Sequence, residues 1–201
     1  MDLFKSFYRP CSVLFFLTIG LLQFQPCFSW ADSYPEKNRV DAELLADAVR
    51  VAEEIDALRS TLAASLDPEE MEVNKETFAL VCKPVGMRAK KIAIQKDWEF
   101  FQLAIKYRNP KNKADPQAVK ATNLFKRYPE LRGFWANDTR PGKMAFRYFR
   151  RITIEPACLA CHGEKEKRPE FIKKKYLDDR AFGFSPDDLR GVYSISFKVK
   201  K

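Results

Sequence analysis

Arg147-Tyr148-Phe149-Arg150-Arg151-Ile152-Thr153-Ile154-Glu155-Pro156-Ala157-Cys158-Leu159-Ala160-Cys161-His162-Gly163 joins two kinds of order in one stretch. Residues 134–154 read as a β-hairpin around the turn Asp138-Thr139-Arg140-Pro141-Gly142, so the stretch begins inside a strand. It ends in C-x-x-C-H. A motif that leaves a strand, instead of joining helices, decides for a sheet with an inserted loop. Downstream, residues 170–179 form a short Lys-rich helix, and residues 192–199 (VYSISFKV) alternate as a last strand. Upstream, residues 98–108 (WEFFQLAIKYR) are aromatic and β-prone, ending at Asn109-Pro110. Residues 115–128 are helical, with Val119, Leu124 and Phe125 expected to face inward. Leu44, Leu45, Ala48, Val51, Ile55, Leu58 and Leu62 repeat near 3.6 and predict a long helix over residues 41–64. A second helix starts near Asn74, a cap, and runs through Cys82 to about Ile94. The class is α+β, long N-terminal helices plus an antiparallel sheet.

Cys158-Leu159-Ala160-Cys161-His162 has the spacing that attaches haem c: two thiols form thioethers with the vinyl groups, and the adjacent histidine ligates iron. A zinc site would need two more ligands, and only Cys82 is available among the remaining Cys and His of the mature chain. A dithiol redox pair would not explain the histidine. His162 is the single histidine in the sequence and falls at the ligand position. One covalent haem c is therefore expected.

The 201 residues carry 36 Lys+Arg against 27 Asp+Glu, with 46% hydrophobic and 31% charged residues. This is the composition of a folded domain and excludes a disordered tail, a collagen-like fibre and a multi-pass membrane protein. Residues 1–31 read as a cleaved signal peptide: Lys5 and Arg9, an apolar run over residues 11–24, then Ser29-Trp30-Ala31. The run is too short to span a bilayer comfortably, so no stable membrane span is expected after cleavage. The chain is expected to be exported, to a periplasm or equivalent compartment. Cleavage removes Cys11 and Cys27 and leaves Cys82, Cys158 and Cys161, an odd number for an oxidising compartment.

With no second histidine, the sixth iron site falls to Met71, Met87 or Met144, a Lys or Tyr, Cys82, or water. Phe78, Val81, Cys82, Val85 and Ala89 lie at i, i+3, i+4 and i+7 spacing, which places the thiol on an apolar stripe. Pro84 is expected to kink or restart that helix by removing a backbone donor. Cys82 reads equally well as a ligand and as a small buried hydrophobe.

Several segments together resemble the exported monohaem c-type cytochrome family with a PAS-like sheet, found alone or fused to sensor kinases. They are Val81-Cys82-Lys83, Tyr107-Arg108-Asn109-Pro110, Arg147-Tyr148-Phe149, residues 154–163 around the motif, and residues 179–191 (DRAFGFSPDDLRG). The layout is also similar to the small two-subunit c-type cytochromes of anaerobic ammonium oxidisers. The resemblance divides the chain into a signal peptide (1–31), an N-terminal helix (32–69) and a PAS-like haem c domain (70–201). It implies His/Cys axial ligation, with His162 proximal and Cys82 distal. It also raises the expectation of a homo- or heterodimer, for which the helix over residues 41–64 is the candidate element.

A thiolate donor stabilises Fe(III), so such a site implies a low-potential electron carrier, whose reduced form could release Cys82 and accept NO or CO. The alternative is a haem-based redox or gas sensor signalling through a partner. An enzyme is not expected: His162 is consumed by iron, and Asp178-Asp179 and Asp187-Asp188 read as turn and cap residues. Lys165, Lys167, Arg168 and Lys173-Lys174-Lys175 suggest a basic rim that steers an acidic redox partner. Nucleic acid is not an expected partner. The 17 phenylalanines are expected to serve mostly as core, with some walling the haem pocket.

Overall fold

The computed structural model describes residues 41–66 and 73–198. The signal peptide expected over residues 1–31 and the candidate ligand Met71 lie outside them. Element order is α1 (Ala42–Ala64), α2 (Lys75–Lys96), β1 (Trp98–Leu103), a 3-10 turn (Pro110–Asn112), α3 (Pro116–Arg127), β2 (Gly133–Asn137), β3 (Lys143–Thr153), a second 3-10 turn (Pro156–Cys158), α4 (Leu159–His162), α5 (Glu170–Lys175) and β4 (Leu189–Lys198). The four strands form one antiparallel sheet in the order β1-β4-β3-β2. The fold is α+β, consistent with a PAS-like sheet.

Strand alternation sends side chains to two helical layers. Tyr193, Ile195 and Phe197 of β4, with Tyr148 and Ile152 of β3, pack under α1 and α2. Val192 and Phe149 pack on the opposite face against Ala118, Ala121 and Phe125 of α3. Leu124 points outward, 37% exposed, because α3 meets the sheet through Ala118, Ala121, Thr122 and Phe125 instead. Ala48, Val51, Ala52 and Ile55 of α1 are buried in the first layer. Each full burial of a Val or Ile there contributes about 1.5–3 kcal/mol. The apolar stripe of α1 is thus buried within the chain itself.

Polar groups tie the same layers together. Arg150 pairs with Glu53 (2.9 Å) and Asp56 (2.7 Å) of α1 on one face. Fully buried Arg147 reaches Asp115 (2.8 Å) on the other, where Asp115 also accepts the Ala118 N–H at the start of α3. Helix α2 opens with a capping box between Asn74 and Thr77 and continues through Pro84 without a break. The expected restart does not occur: Val81, Val85, Ala89 and Ile92 anchor the helix on both sides of the proline. The carbonyl that Pro84 cannot bond belongs to Leu80, which is 68% exposed, so water can satisfy it.

Several elements are shorter than the periodicity suggested. β1 ends at Leu103, where Ala104 turns away to bridge Lys113, and α5 stops at Lys175. Among the described residues, no helix is long and apolar enough to cross a membrane.

Candidate functional site

The C-terminal half of α1, the first half of α2, the ends of β1 and β3, and the loop carrying Cys158 to His162 enclose one cleft of about 300 Å³. Its volume is at the low end of cofactor clefts. The walls are mainly aliphatic, with Val81, Val85, Leu103, Ile152 and Ile154 prominent. Among the described residues, Phe78 and Tyr176 are the aromatic lining residues, so most phenylalanines serve elsewhere. Cys82, Cys158, Cys161 and His162 all line it. Residues 76 to 80 positions apart along the chain are thereby brought to one space.

The histidine is set by its neighbours. His162 Nδ1 lies 2.7 Å from the Ala181 carbonyl oxygen, which can only accept, so Nδ1 carries the proton. Arg108 Nη2, at 3.3 Å from the same nitrogen, is then a contact and not a donor to it. This tautomer leaves the Nε2 lone pair free, the arrangement found at histidine metal ligands. Burial, reinforced by the charges of Arg190 and Arg108, holds His162 well below its usual pKa and keeps it neutral.

Asp179 is the centre of the supporting shell. Its carboxylate, 1% exposed, pairs with Arg108 (3.3 Å) and Arg168 (2.7 Å) and accepts the Ala181 N–H (2.8 Å). Arg108 in turn donates to the Cys161 carbonyl at 2.5 Å. One buried carboxylate therefore anchors the residue whose carbonyl orients His162 and the arginine that holds the motif backbone. Asp179 is therefore a turn residue, through its bond to the Ala181 N–H two positions on, and an ion-pair partner as well. It also removes Arg168, whose side chain is 9% exposed, from the expected basic rim. Asp188 also acts as a turn residue, accepting from the Ser185 N–H. Gly163 is required behind the histidine: a Cβ there would stand 2.7 Å from the Leu159 carbonyl oxygen.

Cys82 faces the motif from α2. It is accessible on its cleft side, yet protein surrounds it closely enough that burial pushes its thiol up to about 11, with the nearby Cys161 and Cys158 adding to the rise. The thiol is therefore protonated here unless a cation favours the thiolate. Met87 is 60% exposed and lies beside Lys90, Lys91 and Ile94 on another face of α2. Met144 sits near the Lys143 end of β3, while the cleft lies at the Ile152 end, on the order of 25 Å away along the strand. Between Cys82 and Met87, Cys82 is the one at the cleft.

Arg59, Arg108 and Arg190 also line the cleft, and none was singled out from the sequence as a site residue. Arg59 pairs with Asp56 (3.0 Å) and Glu155 (3.3 Å), the latter just before the motif, and its Nη1 is buried without a hydrogen-bond partner. Their only advance signal was that Arg108 and Arg190 lie in the segments carrying the family resemblance.

The donor set is self-consistent for a c-type haem: two thiols on the motif, an imidazole with its second nitrogen free, apolar walls and cationic groups for carboxylates. No curated protein matches the chain. The Tll0287-like family matches residues 36–198. Among solved structures, the chain is similar to the cyanobacterial heme-protein Tll0287, with 40% identity over 81% of this chain and 99% of that one, at a TM-score of 0.71. A family match across most of the sequence, a solved relative covered almost end to end, and the same architecture agree: the chain belongs to the Tll0287-like family.

Proposed function

We propose that the chain is an exported monohaem c-type cytochrome for low-potential electron transfer, able to bind NO or CO when reduced. Cys158 and Cys161 would form the thioether links, with His162 Nε2 and Cys82 Sγ as axial ligands. The observation that carries the reading is the shared cleft: the Ala181 bond frees Nε2 of the one histidine, and Cys82 comes from α2 to line the same space. The solved relative's description as a haem protein supports it. The bound group would supply one-electron chemistry. The protein's own part is to orient the imidazole, hold the motif through Arg108, and surround the group with aliphatic walls.

The Cys82 thiol explains why reduction would open the sixth position. Its surroundings disfavour the thiolate, so ionisation depends on a cationic neighbour. Losing one unit of that charge returns the balance towards the protonated thiol, a weaker ligand. Exposed Lys175, with Lys174 next to it in the chain, puts its Nζ 6.0 Å from the ring of cleft-lining Phe78. They would steer an acidic redox partner.

A sensor reading is favoured by one further observation. α2 carries Cys82 towards the cleft and exposes Leu80, Met87 and Ile94 at seven-residue intervals on another face. Movement of the thiol would thus be felt by an element with surface for a partner, whether a related cytochrome or a second copy. Electron paramagnetic resonance and optical spectra of the ferric protein, wild type beside Cys82→Ala, test the ligation. A low-spin thiolate signature lost in the variant is expected. A far-red methionine–iron band unchanged by the substitution refutes it. If CO leaves the reduced spectrum unaltered, ligand exchange is refuted as well.

A further inference from the structure

We propose that Arg190 is the carboxylate-binding residue of the cleft, neutralising a haem propionate; this rests on the haem reading above. Three guanidinium groups line the cleft, and two of them already pair with carboxylates. Arg59 is paired with Asp56 and Glu155, and Arg108 with Asp179. Arg190 has no carboxylate partner among the described residues: it donates to the Lys106 carbonyl at 2.9 Å and stacks over the Phe184 ring at 5.6 Å.

A guanidinium in this position is costly. Burial, with the positive charge of Arg108 adding to it, depresses Arg190 to about 10, and Asp179 offsets this only in part. Arginine in such surroundings is stabilised by an oxyanion that takes its fork in two parallel hydrogen bonds. A porphyrin brings two carboxylates into a cleft whose walls are mainly aliphatic, and each needs a cationic or hydrogen-bonding partner there. The position of Arg190 is also fixed by its neighbour. Gly191 lets β4 lie close against the end of β1, since a Cβ there would stand 2.5 Å from the Leu103 carbonyl oxygen.

The same chemistry could come from a free oxyanion such as phosphate, and the experiment separates the two. Wild type, Arg190→Gln and Arg190→Lys are prepared as holoprotein and checked for bound haem by the pyridine haemochrome spectrum. Absence of haem from the wild type would sink the functional reading itself. With haem present, resonance Raman spectra and redox titrations are recorded in phosphate-free buffer, then with phosphate added. In R190Q the propionate-bending mode is expected to move to lower frequency. The ferric-to-ferrous ratio at fixed applied potential should rise about tenfold, equivalent to about 59 mV for a one-electron couple. R190K should keep the potential within about twofold in that ratio yet still shift the Raman mode, because an ammonium cannot form the two-pronged bond. If R190Q does not retain haem, the Raman shift in R190K decides. Unchanged Raman modes in both variants overturn the proposal. So does a wild-type potential that responds to phosphate while R190Q does not, which would make the ligand a free oxyanion.

Discussion

Removing the Asp179 carboxylate should cost more stability than any other single polar substitution around the cleft. The side chain is 1% exposed, and its partners Arg108 and Arg168 are 11% and 9% exposed. Asp179→Ala leaves two nearly buried guanidinium groups without their anion and the Ala181 N–H without its acceptor. Breaking a buried ion pair from one side typically costs about 3–5 kcal/mol, because the remaining charge stays desolvated. In a chain of this length each 1 kcal/mol is worth roughly 2–4 °C in Tm, so a fall of at least about 6 °C is expected. Asp179→Asn separates the two contributions. Its side-chain oxygen can still accept from Ala181, so roughly half the loss should remain, from the missing charge alone. Urea unfolding of matched holoprotein samples, followed by tryptophan fluorescence, measures both. A loss below about 1 kcal/mol in D179A would refute the view that this carboxylate holds the shell together. Equal losses in the two variants would refute the role of the Ala181 hydrogen bond.

Met87→Ala should leave the optical spectrum unchanged and stability within about 0.5 kcal/mol, since the side chain is 60% exposed and away from the cleft; an altered spectrum would return methionine ligation to consideration. Gly191→Ala should destabilise by roughly 1–3 kcal/mol, because the added Cβ meets the Leu103 backbone and not a movable side chain, and thermal unfolding reads this directly. Acid should unfold the protein through its bridging carboxylates. The Arg150 hydrogen bonds hold Glu53 below its ordinary pKa. Burial opposes ionisation of Asp115, but Arg147 and the Ala118 N–H outweigh it and lower that group too. Both are depressed in the folded state, so their contribution is present above the ordinary carboxylate range and lost as pH falls through the lowered values. Asp115→Asn should flatten that acid limb, and an unchanged limb would refute the assignment.

Local signals in the sequence were sufficient for the elements. The 3.6-residue stripe of residues 41–64 and the cap at Asn74 placed α1 and α2 to within two residues of the observed ends, and Asp138-to-Gly142 placed the β2–β3 hairpin. Where reading failed, a tertiary contact had overridden a local preference. Pro84 does not break α2 because buried side chains hold the helix on both sides of it, Val81 before and Val85, Ala89 and Ile92 after. Leu124 faces outward because small residues bring α3 close to the sheet around Phe125.

The sequence by itself determined the chemistry on offer: one histidine, its two motif cysteines and, beyond residues 1–31, a single further thiol. That follows from composition and spacing, which are properties of the chain alone. Tertiary structure decided which groups meet. It turned Cys82 to the cleft, Met87 to the surface and Asp179 to the centre of an ion-paired shell, and it left Arg190 without a carboxylate among the described residues. These outcomes depend on pairs such as Arg108 with Asp179 and Arg59 with Glu155, separated by 71 and 96 positions. No periodicity encodes contacts at such range; they are set by how two helices and a loop close over one end of a sheet.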